Sequence, residues 1–333
     1  MIAAAVFVLP AGGGASGSTA TARNGEIAFI RKANFYGEGF LHVVNPDGTK
    51  ARQLVKSGWV RDAAWSPDGK RIAIVDKCAI KVMPAGGGRL RTIVRPRIAR
   101  NSIGQRYSDC YTAPDWSPDG SRLVLLRCRD ASCEFGGSAL YVVDVSGRGL
   151  RQLTQREHVS GRVWNSPNVA DVAPDWSPDG RTILFSRVDV SLPDPPYGNW
   201  ANHASLYLVN PDGSGLVRLP PGQARSPTWS PDGGRIAFVR SLWTTLPPDA
   251  EWTGSLVVMN ADGSGERTLV KDDQGGDRDC SRGGWGHAWS VDGTKLAYSG
   301  ICPAGIRLID PDSGAETRIT RGIDRVVSWR PLP

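Results

Sequence analysis

Two kinds of short apolar segment alternate along the chain, and each kind has its own turn. The first kind begins with WSPDG, or its variant WSVDG, at Trp65, Trp116, Trp176, Trp229 and Trp289. A β-patterned run such as RIAIV or RLVLL follows each copy. Pro sets φ for a turn, Asp accepts hydrogen bonds from its own backbone, and Gly takes the left-handed position. Each copy therefore predicts a tight hairpin.

The second kind of segment is a strand, a turn and another strand, as in LYVVDVSGRGLRQLT from Leu140. Related copies begin at Leu41, Ile80, Leu206, Leu256 and Ile306. Two alternating hairpins give four antiparallel strands per unit, named a to d here, at a period of roughly 40 to 60 residues. This period is typical of β-propeller blades, so the pattern predicts an all-β fold.

The two ends of the chain together supply one predicted blade. The run GEIAFIRK from Gly25 matches a strand b that no strand a precedes, and residues 326–331 match a strand a that nothing follows. Pairing these strands would remove exposed sheet edges. We therefore expect one domain over residues 25–333, a β-propeller of six four-stranded antiparallel blades in which the N- and C-terminal strands share a blade.

Residues 1–24 resemble an export signal. An apolar core is followed by small residues and by Ala20-Thr21-Ala22, which matches a signal-peptidase site. A basic n-region is missing, which leaves the true start codon open. The apolar run is broken at Pro10 and is shorter than the roughly 20 residues of a transmembrane helix, so no membrane span is predicted. We expect export to the periplasm, the cell envelope or the outside of a bacterium.

The charge pattern bears on partners. The chain has a formal net charge of +7, but Lys and Arg are scattered without a block of like charges. This argues against a nucleic-acid partner and fits general surface chemistry or attraction to an acidic envelope polymer. We expect a monomer.

The six cysteines are an even number in a chain with an export-like segment, which favours disulfides. Cys280 and Cys302 lie on adjacent predicted strands and are expected to pair. The other four allow Cys78–Cys110 with Cys128–Cys133, or Cys110–Cys128 with Cys78–Cys133. No CxxC pair occurs, which argues against zinc and thioredoxin-like chemistry.

A large aromatic residue at the same place in every repeat predicts packing between neighbouring blades. These repeat tryptophans are Trp65, Trp116, Trp176, Trp229, Trp289 and Trp329. The turn aspartates supply one carboxylate per separate turn, which does not make a calcium site. We predict no metal site and no cofactor.

Insertions collect in the b–c and d–a connections, which a four-stranded meander brings to one end of the propeller. We predict that this loop face binds a protein, a peptide or a cell-envelope polysaccharide, since rigid aromatic side chains give contact area at small entropic cost. The alternative is that the aromatics only cover the loops. The candidate ligand-binding residues are Trp59, Trp164, Trp200, Trp243, Trp252, Trp285, Tyr107, Tyr111 and Tyr197.

Catalytic signals are weak. No GxSxG elbow occurs, and His42, His158, His203 and His287 do not show metal-ligand spacing. No catalytic residue is assigned, and binding without turnover is favoured over catalysis. The alternative function is a metal-assisted hydrolase, lactonase or lyase with its site in the central funnel.

The pairing of WSPDGxxIAF-like and LYVVNPDGSGxRxLT-like segments resembles the WD40-like (PD40) repeats of the TolB family, the periplasmic propeller of the Tol–Pal system. The resemblance covers nearly everything from Glu26 to Pro333. It implies a propeller fold. TolB carries a separate N-terminal domain before its propeller, whereas here the first predicted strand follows the signal-like segment directly, and in this the sequence departs from TolB. Similar repeats form the propeller of the prolyl oligopeptidase family, whose hydrolase domain has no counterpart in this sequence.

Overall fold

The computed structural model describes residues 23–32, 39–56, 58–100, 106–128, 138–155, 169–189, 204–243, 252–271, 286–300, 305–322 and 324–332. All regular elements in these ranges are β-strands. The all-β prediction is therefore confirmed. No helix in the described ranges is long and apolar enough to cross a membrane.

The strands of the first half of the chain are β1 (Arg23–Lys32), β2 (Gly39–Val44), β3 (Arg52–Gln53), β4 (Val60–Trp65), β5 (Arg71–Asp76), β6 (Ala79–Pro84), β7 (Arg91–Val94), β8 (Ile98–Arg100), β9 (Arg106–Ser108), β10 (Cys110–Trp116), β11 (Arg122–Cys128), β12 (Ser138–Asp144) and β13 (Arg151–Gln152). Those of the second half are β14 (Val169–Trp176), β15 (Ile183–Asp189), β16 (Ala204–Val209), β17 (Val217–Gly222), β18 (Ala224–Trp229), β19 (Arg235–Trp243), β20 (Trp252–Asn260), β21 (Arg267–Lys271), β22 (His287–Trp289), β23 (Leu296–Gly300), β24 (Gly305–Ile309), β25 (Glu316–Arg318) and β26 (Asp324–Leu332).

The strands form four-stranded antiparallel sheets in a propeller arrangement. Four sheets are separate: β10–β13, β14–β17, β18–β21 and β22–β25, named strand groups III to VI. Group I (β26, β1, β2, β3) and group II (β4–β7) are joined into one eight-stranded sheet, because Gly39 of β2 pairs with Val60 of β4. Strands β8 and β9 form a small separate hairpin.

The WSPDG turns have the predicted local chemistry. In group II, Ser66 donates a hydrogen bond to Asp68 at 2.5 Å, and the backbone N–H of Lys70 donates to the same carboxylate at 3.0 Å. Gly69 has a φ of 63°, a left-handed value that glycine adopts without strain. The prediction of a tight hairpin at this motif is confirmed, since β4 pairs antiparallel with β5.

Each repeat tryptophan packs against the preceding strand group. Trp116 of group III lies in an apolar cluster with Ala64 and Val75 of group II. Its Nε1 donates to the Ala64 carbonyl at 3.0 Å, and the Arg71 guanidinium lies 4.7 Å from its ring centroid. The other five occupy equivalent clusters, and all but the half-buried Trp229 are at most 5% exposed. Burial of these large rings joins one group to the next.

The first and last described strands are neighbours. Strand β1 pairs antiparallel with β26 from Arg23–Leu332 to Arg31–Asp324. The Arg31 Nε lies 2.8 Å from Asp324 Oδ1 in a part-buried ion pair. Group I is therefore built from both ends of the described chain.

Candidate binding site in the central channel

A channel of about 510 Å³ lies between β4, β10, β14, β18, β22 and β26, the strands that carry the repeat tryptophans. One residue directly before each repeat tryptophan lines it. These six residues are Ala64, Asp115, Asp175, Thr228, Ala288 and Ser328. Since the position is the same in every group, the side chain there decides the chemistry of the wall.

Proline side chains line the end of the channel beside the WSPDG turns. They belong to Pro67, Pro118, Pro178, Pro231 and Pro331, and Val291 stands at the sixth equivalent place. The first four are exposed. Proline rings have few rotatable bonds, so this rim offers apolar contact area that loses little entropy on binding.

Three of the described aspartates line the channel, and Asp62 is paired with Arg325. A β-bulge positions each of the other two, Asp115 and Asp175, which are called the channel carboxylates here. Pairing of β10 with β11 shifts register just before Asp115, where Ala113 has a φ of 48° and Pro114 has no N–H to donate. The same irregularity precedes Asp175, with a φ of 49° at Ala173. Bulges re-aim side chains, and here they place a carboxylate in the channel wall.

Both carboxylates accept hydrogen bonds from the next strand group. Asp115 Oδ2 accepts from the backbone N–H of Trp176 at 2.7 Å, and Asp175 Oδ2 accepts from that of Trp229 at 2.6 Å. Burial raises the pKa of Asp115 to about 6. Burial also raises the pKa of Asp175 well above its usual value, and the negative charge of Asp115 adds to this rise. The carboxylates are therefore costly to ionise and well suited to a cationic ligand group.

The wall formed by β22 and β26 carries nitrogen-bearing side chains. Arg325 lies 3.3 Å from Asp62 Oδ1 of β4 and donates a hydrogen bond to the Arg61 carbonyl. His287 also lines the channel, and burial lowers its pKa to about 4, so the imidazole is neutral at pH 7. The two channel carboxylates and these nitrogen groups thus lie on different walls.

Only some loop-face candidates fall within the described ranges. Trp59 is 52% exposed, and the Lys77 Nζ lies 5.8 Å from its ring centroid. Tyr111 is fully buried in the cluster between groups II and III, so it is a core residue and not a ligand contact in this structure. The candidates Trp164, Trp200, Trp285 and Tyr197 lie outside the described residues.

Three further candidates lie in strands. Tyr107 is in β9, and Trp243 and Trp252 are directly paired at the ends of β19 and β20. Residues 240–255 were expected to form an irregular connection. The strands instead continue to this residue pair.

The structure decides between the two cysteine pairings left open by the sequence. Cys78, in the turn between β5 and β6, forms a disulfide with Cys110 at the start of β10. The alternative Cys110–Cys128 pair is excluded, although these residues are opposed in the β10–β11 register. Cys128 is also disulfide-bonded, and Cys133, Cys280 and Cys302 lie outside the described residues.

Sequence reasoning missed Asp115 and Asp175. The only local signal is the tetrapeptide APDW, which occurs at 113–116 and 173–176 and at none of the other repeat tryptophans. Within the described ranges, no group of three or more His, Cys, Asp or Glu side chains has an arrangement that could hold a metal ion.

No protein-family profile matches the chain. An uncharacterized protein of Agrobacterium fabrum (strain C58) is 27% identical over 258 residues, which cover 61% of this chain and 78% of that protein. The name of that protein states no activity.

Solved structures are similar in fold. TolB from Acinetobacter baumannii superposes with a TM-score of 0.63 at 17% identity, over 92% of this chain and 66% of the TolB chain. A TolB candidate from Agrobacterium tumefaciens gives 0.50 at 21% identity, over 74% and 81% of the two chains. A chain of a nidogen–laminin complex gives 0.59 at 12% identity, over 91% and 97%. With its repeats and its four-stranded antiparallel sheets, this chain is a TolB-like β-propeller in fold.

Proposed function

We propose that this protein is an exported, non-catalytic propeller that binds a protein or peptide partner in its central channel. The observation that carries the proposal is the pair of channel carboxylates, Asp115 and Asp175, beside the proline rim. An extended segment with a basic side chain fits both features: the cation is attracted to the carboxylates, and the rigid rim contacts the rest of the segment.

The proposal includes six blades, one for each strand group, closed into a ring. Support comes from contacts between the channel strands, since β4 contacts β10, β10 contacts β14, β14 contacts β18, β18 contacts β22, β22 contacts β26, and β26 contacts β4. The pairing of β1 with β26 supports closure within one blade. Within the described ranges, the strand pairing between groups I and II consists of one residue pair, Gly39–Val60, which is a narrow hydrogen-bonded link between two blades.

Export is part of the same proposal and rests on the signal-like residues 1–24. Cleavage after Ala22 would make Arg23 the mature N-terminus. N-terminal sequencing of protein recovered from the periplasm or medium tests this. Recovery in the cytoplasm with Met1 retained would contradict it.

Affinity capture from envelope extracts tests the binding role. The double variant D115N/D175N replaces both carboxyl groups with amides of nearly the same shape, which cannot ionise against a bound cation, and is expected to lose the captured protein. The matched control is D119N/D179N, which alters turn aspartates in the same two strand groups and should capture normally. Capture that is equal for all three proteins would refute the channel as the binding site.

The loop face remains a second predicted surface for the same binding role. The triple variant W200A/W243A/W252A tests it in the same assay. Loss of capture by this variant alone would move the site to the loop face, and recovery of polysaccharide instead of protein would make an envelope glycan the ligand.

Stoichiometric divalent metal in the purified protein, found by elemental analysis, would favour the metal-assisted hydrolase, lactonase or lyase.

A further inference from the structure

Two nitrogen-bearing side chains, Arg225 of β18 and His287 of β22, lie in the interface between strand groups V and VI. Both are half-buried. Neither side chain belongs to the apolar clusters that join one strand group to the next. Their orientation follows from the register of the strands that carry them.

The Arg225 side chain points towards group VI. Arg225 is directly opposite Val239 in the β18–β19 ladder, and directly paired residues place their side chains on the same face of a sheet. Val239 and Ala237 pack in one apolar cluster with Trp289 and Tyr298 of group VI. The face that carries Arg225 is therefore the face that packs on group VI.

The His287 side chain points the opposite way, towards group V. It is directly opposite Tyr298, which belongs to the same cluster. The backbone of Ala237 in β19 lies near the imidazole. Arg225 and His287 thus enter one interface from its two sides.

The enclosed nitrogens of both residues are incompletely satisfied. Arg225 Nε and both ring nitrogens of His287 are shielded from solvent, and Arg225 Nε has no acceptor among the described residues. The Ala237 backbone is a weak hydrogen-bond partner for the imidazole, which leaves the second ring nitrogen without one. Burial lowers the pKa of both side chains. An enclosed donor without an acceptor is costly, so the Arg225 guanidinium calls for an acceptor from elsewhere, beside an imidazole that can take up a proton.

The equivalent arginine in group I has the partners that Arg225 lacks. Arg225 and Arg325 each stand four residues before a repeat tryptophan, Trp229 or Trp329. Arg325 lies 3.3 Å from Asp62 Oδ1 and also donates to the Arg61 carbonyl. A carboxylate beside Arg225 would reproduce this arrangement between groups V and VI.

We propose that Arg225 and His287 form a binding site for a carboxylate that enters from the channel. His287 and Ser226, the neighbour of Arg225, line the channel, which places the interface directly beside it. The guanidinium donates to the carboxylate, and the imidazole donates through one ring nitrogen, with protonation favoured by the bound charge. This names a second part of the partner in the proposed function: a carboxylate that binds between β18 and β22, in the wall next to the strand that carries Asp175.

The probe is acetate, with inorganic phosphate as a second arm and chloride at matched ionic strength as the baseline. Acetate at ten times its dissociation constant is expected to raise the melting temperature by about 2 °C. The variant R225Q should lose this response, whereas the matched variant R325Q should keep it. A response of R225Q equal to that of the unaltered protein, or no response of the unaltered protein, would overturn the proposal.

NMR of the unaltered protein gives a readout that does not depend on variants folding. Acetate is expected to raise the His287 pKa from about 4 by at least one unit. An unchanged His287 pKa at saturating acetate would refute the site. A response to phosphate without one to acetate would overturn the carboxylate assignment. Failure of channel capture by D115N/D175N leaves the acetate response intact, so the two proposals fail separately.

Discussion

The carboxylate of Asp115 accepts a hydrogen bond of 2.7 Å from the backbone N–H of Trp176, 61 residues later in the chain. One side chain therefore fixes the channel strand of the next strand group while it lines the channel. The two roles oppose each other energetically, because the position that allows the hydrogen bond to Trp176 also keeps water away from the ionised Asp115 carboxylate.

The variant D115N is expected to be more stable than the unaltered protein at pH 7.5. The pKa of Asp115 is about 6 in the folded protein and about 3.8 when unfolded, so the folded state binds more protons between these values. Stability is therefore full below about pH 4 and is lost as pH rises through 6. Asparagine removes this loss, with a gain of up to about 3 kcal/mol at pH 7.5 and none at pH 4, measured by urea unfolding.

The matched control for D115N is D119N, three residues beyond Trp116. Hydrogen bonds from Ser117 and Ser121 lower the pKa of Asp119 to about 2, so its stabilising effect is present above pH 4 and is lost as pH falls towards 2. D119N should therefore destabilise the protein at pH 7.5. The same sign for both variants would contradict the assigned environments.

The variant G69A tests the contact between group II and the last strand. A Cβ at Gly69 would lie 1.9 Å from the Pro331 carbonyl oxygen in β26. Gly120 has a similar φ, 67° against 63°, but the nearest atom to its Cβ is on the flexible Arg71 side chain at 3.2 Å. G120A should lose about 1 kcal/mol from left-handed strain alone. G69A should lose clearly more, and equal losses would disprove this close approach.

The disulfide between Cys78 and Cys110 is expected to stabilise the protein by limiting its unfolded state. The two cysteines are 32 residues apart, and a loop of this size predicts a loss of about 3–4 kcal/mol in C78S/C110S. The free energy of unfolding under non-reducing conditions measures it. Peptide mapping that links Cys110 to Cys128 would contradict the pairing itself.

Trp116 is expected to be essential for packing between groups II and III. W116A should lose about 3–5 kcal/mol of unfolding free energy, because it removes a buried ring that also bonds to Ala64. W116F keeps most of the apolar area and loses the Nε1 bond, so about 1 kcal/mol is expected from the hydrogen bond. A loss under 1 kcal/mol for W116A would show that the ring does not hold the two groups together.

Local chemistry explains what the sequence revealed. The WSPDG turn is built within five residues by contacts such as Ser66–Asp68, and its Gly69 needs a left-handed φ, so the motif alone predicts the hairpin. The repeat tryptophans follow because one position recurs in every copy. These features need no knowledge of distant residues.

Contacts between residues that are far apart in the chain explain what could not be predicted from the sequence. The role of Asp115 depends on Trp176 in another strand group, and the equivalent position holds alanine, threonine or serine in four of the other five groups. Trp243 and Trp252 were assigned to a loop because nothing within either segment shows that they pair across a hairpin. Only the three-dimensional register shows such relationships.

The pairing of β1 with β26 has a consequence for how the protein is made. Arg31 and Asp324, which join these strands, are 293 residues apart. A growing chain cannot form this sheet until nearly all the intervening residues have been synthesised, and contacts over such separations form slowly. The nascent chain therefore lacks β26 during synthesis, and the proposed export would move a chain whose first and last strands have not yet paired.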